Sequence, residues 1–277
     1  MDKELNLPLG KQTTYVNHYD KDLLLGIPRS LGRNIIGLSN TLPFSGCDFW
    51  NCYELSWLDN RGKPEVRILE FFVPFDSPNI VESKSLKLYL NSYNGTKFNN
   101  ENEVRAYLEQ DLSQITGAAT IISINKLNEL AEQKLSIFEG IYLDELEIDA
   151  NEYNVNSSLL KLADDFEIIE EKLYSHLLKS NCLVTNQPDW ASIQIEYKGL
   201  RIDHSSLLKY IISFRNHSEF HEQCVEHIFN DIMLKCAPDE LTVYAKYTRR
   251  GGIDINPYRT TKSFKSTCFI KYRDVRQ

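Results

Sequence analysis

The chain has 277 residues, of which 42% are hydrophobic and 25% charged, so it can bury one large core or two modest ones. Its formal net charge of −8 argues against direct nucleic-acid binding, because phosphate contacts need a basic surface. No apolar run approaches the roughly 18 residues that span a bilayer, and the first residues lack the apolar core of a secretory signal. Neither a membrane-bound nor an exported protein is expected.

The six cysteines indicate a reducing compartment. None of them forms a C-x-x-C pair, and nothing else suggests export, so free thiols are expected rather than disulfides. The expected location is the cytoplasm.

The first half of the chain begins with strand patterns and continues with helical ones. "WNCYELSWL" (residues 50–58) and "VRILEFFVPF" (66–75) predict strands. "ESKSLKLYLNSY" (82–93) and "NENEVRAYLEQDLSQI" (100–115) predict amphipathic helices, the second opened by an Asn/Glu start signal. "ATIISI" (119–124) returns to strand.

The second half shows a similar sequence of patterns. "WASIQIEYKG" (190–199) and "SLLKYIISF" (206–214) predict strands, "HEQCVEHIFNDIMLKC" (221–236) a helix and "LTVYAKY" (241–247) a strand. The order strand, strand, helix, strand therefore occurs twice. This order predicts an α+β fold rather than alternating βαβ units.

An internal repeat is indicated by a constant spacing. Trp50 and Trp190 are 190 − 50 = 140 residues apart, and Glu82 and Glu222 are 222 − 82 = 140 apart. We therefore expect two copies of one module, residues 1–155 and 156–277, joined at a polar segment near 149–158.

The same offset suggests that the copies differ in their reactive groups. Cys182 falls opposite Leu42 and Asp189 opposite Phe49. Ser83 and Lys84 of the first copy fall opposite Gln223 and Cys224 of the second. Each copy thus has functional groups that the other lacks. This pattern predicts a single composite site to which both copies contribute residues.

The stretch "SNCLVTNQPDW" (180–190) holds a thiol and a carboxylate seven residues apart. Cys182 is either a buried structural thiol or a nucleophile displayed at a polar turn, and Asp189 is either a turn residue or its acid. The pair favours the second interpretation. A thiolate that attacks a nitrile needs no leaving group, only a proton delivered to nitrogen, which a poorly solvated carboxylic acid can supply.

"FHEQCVEHIF" (220–229) resembles the start of a zinc-protease motif, but His221 and His227 are six residues apart and do not share a helix face. A metal site is therefore not expected there. Glu222 either assists the helix start or accepts two parallel N–H bonds from a guanine-like base.

"RRGG" (249–252) is either a charged hairpin turn or a phosphate clamp. There is no G-x-G-x-x-G after a strand and no Walker A motif, so a dinucleotide would be bound without a Rossmann fold. Lys84 and the Arg249–Arg250 pair are then the natural phosphate partners.

Together, these segments resemble the NADPH-dependent 7-cyano-7-deazaguanine reductases, the nitrile reductases of queuosine biosynthesis, in their long two-module form. The resemblance covers essentially the whole chain, and it rests on these segments: "YDKDLLLGIPRSLGR", "ESKSLKLY", "SNCLVTNQPDW", "FHEQCVEHIF" and "RRGGIDINP".

The resemblance implies tandem tunnelling-fold modules, the α+β module shared with GTP cyclohydrolase I, with antiparallel sheets, helices on one face and association as a homodimer. It implies reduction of the nitrile to the aminomethyl base with two NADPH per turnover and no metal. The alternatives are a nitrilase-like thiol hydrolase, in which water attacks the same adduct, and a non-catalytic purine-binding protein.

The resemblance also assigns roles to residues of this chain. It makes Cys182 the nucleophile of a covalent thioimide and Asp189 the proton donor. The remaining roles fall on two sets, substrate-binding Val81, Glu82, Ser83, His221 and Glu222, and NADPH-binding Ser83, Lys84, Arg250 and Gly251.

Overall fold

The structure is a computed structural model that describes residues 15–38, 41–130, 135–264 and 273–277. It is an α+β fold, as the sequence predicts. Its strands are β1 (Gly26–Pro28), β2 (Ser45–Leu58), β3 (Pro64–Pro74), β4 (Asn79–Val81), β5 (Ile121–Asn125), β6 (Leu135–Ser136), β7 (Ile141–Tyr142), β8 (Ile168–Asn181), β9 (Pro188–Leu200), β10 (Glu240–Tyr247), β11 (Ile253–Thr260) and β12 (Arg273–Asp274). Its α-helices are α1 (Arg29–Ile35), α2 (Ser83–Ser92), α3 (Glu101–Thr116), α4 (His204–Ser213) and α5 (His221–Cys236).

The described residues divide into two compact units. The first takes its residues from Met1–Arg29, Trp50–Glu132 and Arg250–Ile253, and the second from Ser30–Phe49, Gln133–Arg249 and Asp254–Gln277. The predicted boundary at residues 155/156 divides two copies of a repeated sequence, whereas the two units are defined by packing. The units therefore do not test that boundary, which stays a prediction.

In the first unit, strands follow the order β5–β3–β2, with β3 and β5 antiparallel. Trp50 of β2 stacks on Phe71 of β3 with ring centroids 5.4 Å apart, and both side chains are buried. Helix α3 begins where the Asn100 side chain accepts a hydrogen bond from the Glu103 N–H, and it ends at Gly117, whose φ of 73° is left-handed. The Asn/Glu start signal is confirmed.

In the second unit, strands follow the order β2–β11–β10–β9–β8–β7. The pairs β8–β9, β9–β10 and β10–β11 are antiparallel, whereas the two-residue β7 is parallel to β8. The alternation along β9 buries Ile193, Ile195 and Tyr197 on one face. Helix α5 contacts β10 and buries eleven of its sixteen residues. This helix carries two of the predicted site residues at its start.

One predicted element is wrong. Residues 206–214 form most of helix α4 and the turn after it rather than a strand. Asp203 caps this helix by accepting a hydrogen bond from the Ser206 N–H at 2.7 Å. The apolar run is too short for its period alone to separate a buried helix from a buried strand. Each copy therefore reads strand, strand, helix, helix, strand.

The repeat is present, but its offset of 140 is wrong, because that offset lays strand β3 over helix α4. The structural offset is near 121, which matches α2 with α4. Each of these helices starts after a capping carboxylate, Glu82 or Asp203 (203 − 82 = 121). Each carries a tyrosine whose hydroxyl donates to an aspartate on the next helix, and these pairs are Tyr89–Asp111 and Tyr210–Asp231.

This register changes which residues are equivalent. Glu222 corresponds to Asn102 rather than to Glu82, because α5 and α3 begin 221 − 101 = 120 residues apart. Cys182 opens the β8–β9 loop at the place where Asp59 opens the β2–β3 loop. The composite site was predicted from the offset of 140 residues, which the structure does not support. It therefore stays a prediction.

Within the residues that the structure describes, no helix is long and apolar enough to cross a membrane.

Candidate active site

Cys182 opens a six-residue loop between β8 and β9 in the second unit. Its N–H donates to the Gln187 carbonyl and its carbonyl accepts from the Asn186 N–H, both at 2.9 Å. Asn186 has a left-handed φ of 55°, which Asn tolerates better than most residues. The loop is thus closed by hydrogen bonds from the backbone N–H and carbonyl groups of Cys182. The Cys182 side chain is not needed to form the loop.

Exposure distinguishes Cys182 from the other described cysteines. Cys182 is partly exposed, whereas Cys47, Cys52, Cys224 and Cys236 are buried. Burial raises the pKa of the Cys236 thiol to about 11 and that of Cys224 further still. A thiol must be deprotonated and reachable to act as a nucleophile, so Cys182 is the best candidate among them.

Asp189 lies on β9 opposite Ser180 of β8, and its side chain is only 3% exposed. The Nε2 atom of His221 lies 3.3 Å from its Oδ2 atom. The His221 ring in turn stacks on Tyr247 with centroids 3.8 Å apart and planes 19° from parallel. Burial raises the pKa of the Tyr247 phenol well above 10, so this ring is a neutral support for the imidazole.

His221 and Glu222 are the first two residues of helix α5. The residue before them, Phe220, has no side chain that could cap the helix by a hydrogen bond. Glu222 is 2% exposed, and its carboxylate lies in the first turn, where the helix dipole favours negative charge. The two interpretations of Glu222, helix support and base recognition, are both compatible with this position.

A short segment before α5 pairs with the end of strand β8, one residue before Cys182. The Asn181 N–H donates to the His217 carbonyl at 2.8 Å, and the Glu219 N–H donates to the Asn181 carbonyl at 3.2 Å. The backbone of residues 217–219 therefore holds the end of β8 immediately before the thiol.

The predicted substrate residues of the first unit lie where β4 ends and α2 begins. Val81 and Glu82 are buried, while Ser83 and Lys84 are partly exposed. The two carboxylate oxygens of Glu82 accept the N–H groups of Lys84 and Ser85 at 3.0 and 2.7 Å. Each carboxylate oxygen has a second lone pair, so the cap leaves capacity for a ligand donor.

Arg250 and Gly251 belong to a tight turn of the first unit. The Arg250 N–H donates to the Ile253 carbonyl at 2.9 Å, and Gly251 and Gly252 have φ values of 56° and 72°. The left-handed φ of Gly252 strains any residue with a Cβ atom, so this position favours glycine.

A cavity of about 210 Å³ lies beside this turn. Gly251 lines it, and so do Lys87 of α2 and several polar side chains that the sequence analysis did not single out. Those are Tyr15, Glu54, Asn91 and Asn94. Lys87 lies three residues after Lys84 on the same helix, and that spacing is the signal that could have identified it.

The structure thus brings Asp189 and His221 into contact within the second unit, with Glu222 beside His221 in the chain and Cys182 on the adjoining loop. In the first unit it places Val81, Glu82, Ser83 and Lys84 in succession, and Gly251 beside the Lys87 end of the same helix. Sequence reasoning missed Tyr247, whose position under His221 depends on the β9–β10 pairing.

Comparison with family models gives two matches. Residues 15–124 match the family described as nitrile reductase, 7-cyano-7-deazaguanine-reductase N-terminal domain. Residues 188–266 match the family described as QueF-like protein. The two matches lie in the two halves of the chain, in agreement with tandem tunnelling-fold modules.

Curated relatives are similar over nearly the whole chain. The NADPH-dependent 7-cyano-7-deazaguanine reductases of Burkholderia multivorans and Paraburkholderia phymatum are each 53% identical over 253 residues, covering 91% of this chain and 92% of theirs. A solved structure of an archaeosine synthase QueF-like protein in the apo form covers 35% of this chain at 16% identity, with a TM-score of 0.31. That structural overlap is too small to support a conclusion.

Proposed function

This chain belongs to the nitrile reductase family of 7-cyano-7-deazaguanine reductases, and we propose that it reduces 7-cyano-7-deazaguanine to the 7-aminomethyl base with two NADPH. The product would serve queuosine synthesis for tRNA. The observation that carries this proposal is the partly exposed thiol of Cys182 on a loop whose far strand holds the buried Asp189 against His221.

The first step is addition of the Cys182 sulfur to the nitrile carbon. The new C–S bond uses one π bond of the nitrile, and the nitrogen takes a proton from Asp189, which gives a covalent thioimide. Burial favours the protonated, uncharged form of a carboxyl, and the 3% exposure of Asp189 supports this role.

The next steps reduce the adduct once and then the imine that it releases. NADPH, when bound, supplies one hydride for each reduction. After the first, the C–S bond breaks, Cys182 regains its thiol and an imine remains. The imine nitrogen needs another proton before the second reduction, and we assign its delivery to His221, which lies 3.3 Å from Asp189. The imine would hydrolyse in water, so the site has to exclude solvent while it persists.

Substrate recognition falls to carboxylates and to the residues around them. Glu222 and Glu82 are both almost fully buried, at 2% and 1% exposure. A buried carboxylate gains most from a pair of N–H donors such as the amide–amidine edge of the deazaguanine base. Val81, Ser83 and His221 complete the substrate set.

NADPH binding is assigned to Ser83, Lys84, Arg250 and Gly251. The glycine turn exposes backbone, and the neighbouring cavity of about 210 Å³ offers the Lys87 ammonium. That volume is below the roughly 300–1,000 Å³ of a pocket for a drug-sized ligand, so it suits one phosphate-bearing part of NADPH rather than the whole molecule. We also propose a homodimer in the cytoplasm, with no metal needed for the reaction.

The test is a stoichiometric turnover assay. The purified chain is mixed with 7-cyano-7-deazaguanine and NADPH. Oxidation of NADPH is followed by its near-ultraviolet absorbance, and conversion of the base is followed by mass spectrometry. We expect two NADPH oxidised for each nitrile converted to the amine. Ammonia without NADPH oxidation would identify a hydrolase, and binding without either would identify a non-catalytic purine-binding protein.

The covalent step is tested separately by intact-protein mass spectrometry without NADPH. We expect a mass increase equal to one nitrile in the wild-type chain and in Cys47→Ala, a buried thiol, but not in Cys182→Ala. An active, folded Cys182→Ala variant would rule out the thioimide mechanism.

A further inference from the structure

Three side chains of the second unit converge near the end of strand β8. The Nε2 atom of His217 lies 2.9 Å from Oε2 of Glu219, and the Nδ1 atom of His227 lies 3.4 Å from the same oxygen. One possible ligand atom from each of the three residues lies within 4.8 Å of the other two. The nitrile reduction proposed above uses none of these side chains.

These separations are close to those of ligands around one small metal ion. Zinc binds His nitrogen at about 2.0–2.1 Å and carboxylate oxygen at about 2.0–2.2 Å, usually with tetrahedral geometry. Tetrahedral bond angles then place neighbouring donor atoms about 3.3–3.5 Å apart. The two separations to Glu219 are within about half an ångström of this spacing, and side-chain rotation has to bring the histidine nitrogens from at most 4.8 Å to the same spacing.

One of the histidines has a carboxylate near its other ring nitrogen. The other ring nitrogen of His227, Nε2, lies 3.6 Å from Oδ2 of Asp231, and the Tyr210 hydroxyl donates to that same oxygen at 2.8 Å. Metal-bound histidines almost always direct their second nitrogen toward a carboxylate, a backbone carbonyl or water, which sets the tautomer and the ring plane. His227 can therefore present Nδ1 with its lone pair toward a metal.

The surroundings combine a buried carboxylate with accessible histidines. The Glu219 side chain is 7% exposed, and those of His227 and His217 are 17% and 26% exposed. The ring of Phe214 packs edge-on against both imidazoles at 5.6 and 5.5 Å. This arrangement gives a metal one negative ligand, an apolar wall and an open side for a water molecule.

We propose that His217, Glu219 and His227 form a binding site for one divalent transition ion of the zinc class. The ion would tie the segment 217–219 to helix α5. Because the backbone of that segment pairs with Asn181, the ion would also stiffen the strand end that precedes Cys182. The site is structural, and it is independent of the reductase proposal.

The test is calorimetric titration of the metal-free full chain with ZnCl₂, carried out on Cys182→Ala so that the exposed thiol does not compete. We expect one Zn²⁺ per chain, with affinity reduced at least about 100-fold by His227→Gln and about 10–100-fold by Asp231→Asn. His204→Gln, which alters a histidine paired with Glu171 outside the cluster, is the matched control and should bind like the parent.

Co²⁺ serves as a spectroscopic probe of the ligand set. We expect visible bands of a four- or five-coordinate ion without the near-ultraviolet charge-transfer band of a thiolate ligand. Circular dichroism verifies that each variant is folded, and His217→Gln provides a second, more exposed position. Absence of binding, equal binding by parent and by both folded histidine variants, or a thiolate spectrum would overturn the proposal.

Discussion

At the scale of single residues, exposure rather than residue type separates a nucleophile from structural cysteines. The loop that begins at Cys182 is closed by backbone hydrogen bonds, so its side chain has no structural task there. Cys224 is also in the second unit, but its side chain is fully buried and its thiol pKa is raised by that burial. The same functional group is therefore partly exposed to solvent in one place and shielded from it in the other.

Replacing Asp189 by asparagine removes the proposed acid while keeping its size. We expect kcat to fall about 10²–10⁴-fold, because a positioned general acid contributes about that much. The thioimide should also form more slowly, which intact-protein mass spectrometry on a time course would measure. The control is Asp203→Asn, in which asparagine caps helix α4 as well as aspartate does. Equal activity of the two variants would contradict the role of Asp189.

At the scale of elements, the two copies use one device to start their first helix. Glu82 and Asp203 accept backbone N–H groups of α2 and α4, and each helix then carries a serine hydroxyl that accepts from a distant chain segment. Ser85 accepts from the Leu25 N–H, and Ser206 from the Lys161 N–H. Glu82 and Asp203 therefore have the same structural role as helix caps, and only Glu82 is also proposed to bind the substrate. Comparing the two residues separates these roles.

Removing these two caps should therefore have similar effects on stability and different effects on catalysis. We expect Asp203→Ala and Glu82→Ala each to lower the free energy of unfolding by about 1 kcal/mol, measured by urea denaturation. Only Glu82→Ala should raise KM for the nitrile. An unchanged KM in Glu82→Ala would show that this carboxylate does no more than cap the helix.

A histidine–carboxylate pair makes the packing of α4 on β8 depend on pH. His204 Nε2 lies 3.0 Å from Oε1 of Glu171. The hydrogen bond that His204 donates to Glu171 raises the pKa of His204 above its ordinary 6.5. Burial alone would raise the pKa of Glu171, but hydrogen bonds from His204 and Tyr197 outweigh it and bring that pKa below 4.5.

The signs of these shifts define the pH range in which the pair stabilises the fold. The contribution of His204 is complete below pH 6.5 and is lost as pH rises through its raised pKa. That of Glu171 is complete above pH 4.5 and is lost as pH falls through its lowered pKa.

His204→Gln should therefore cost up to about 1 kcal/mol between these two values and almost nothing in alkaline solution. Urea denaturation at several pH values measures this. A cost that does not change with pH would contradict the ion pair.

At the scale of the whole chain, a buried charge network joins segments far apart in sequence. The guanidinium of Arg259 on β11 lies 2.8 Å from carboxylate oxygens of both Asp48 on β2 and Glu226 on α5. Its side chain is fully buried, and burial would lower its pKa, but the two carboxylates raise it instead. Arg33 also binds Glu226 through two hydrogen bonds of 2.8 Å.

Arg259→Met should be severely destabilising, because it removes the buried guanidinium that Asp48 and Glu226 share. We expect a loss of about 3–5 kcal/mol in the free energy of unfolding, against at most about 1 kcal/mol for Arg201→Met, whose ion pairs are exposed. Chemical denaturation of the two variants measures the difference. A loss below 1 kcal/mol for Arg259→Met would show that the network contributes specificity rather than stability.

Local signals predicted most of the elements but not their equivalence. Helices α3 and α5 were predicted to within about a residue because they are long, and α3 has an Asn cap. Helix α4 was missed because its apolar run is short, and the offset of 140 rather than about 121 rested on the spacings of two Trp and two Glu residues that are not equivalent in the fold. His227 was tested against His221, six residues away, whereas the fold pairs it with His217 and Glu219.

By itself, the sequence determined the α+β class, the family and the residues that bear reactive groups, because periodicity, caps and motifs are properties of neighbouring positions. Only the tertiary structure decided that Cys182 is accessible while Cys224 is not, that Tyr247 supports His221, and that Arg259 meets Asp48 and Glu226. The reason is physical. Burial, the stacking of rings and the pairing of charges depend on distances between residues that are far apart along the chain.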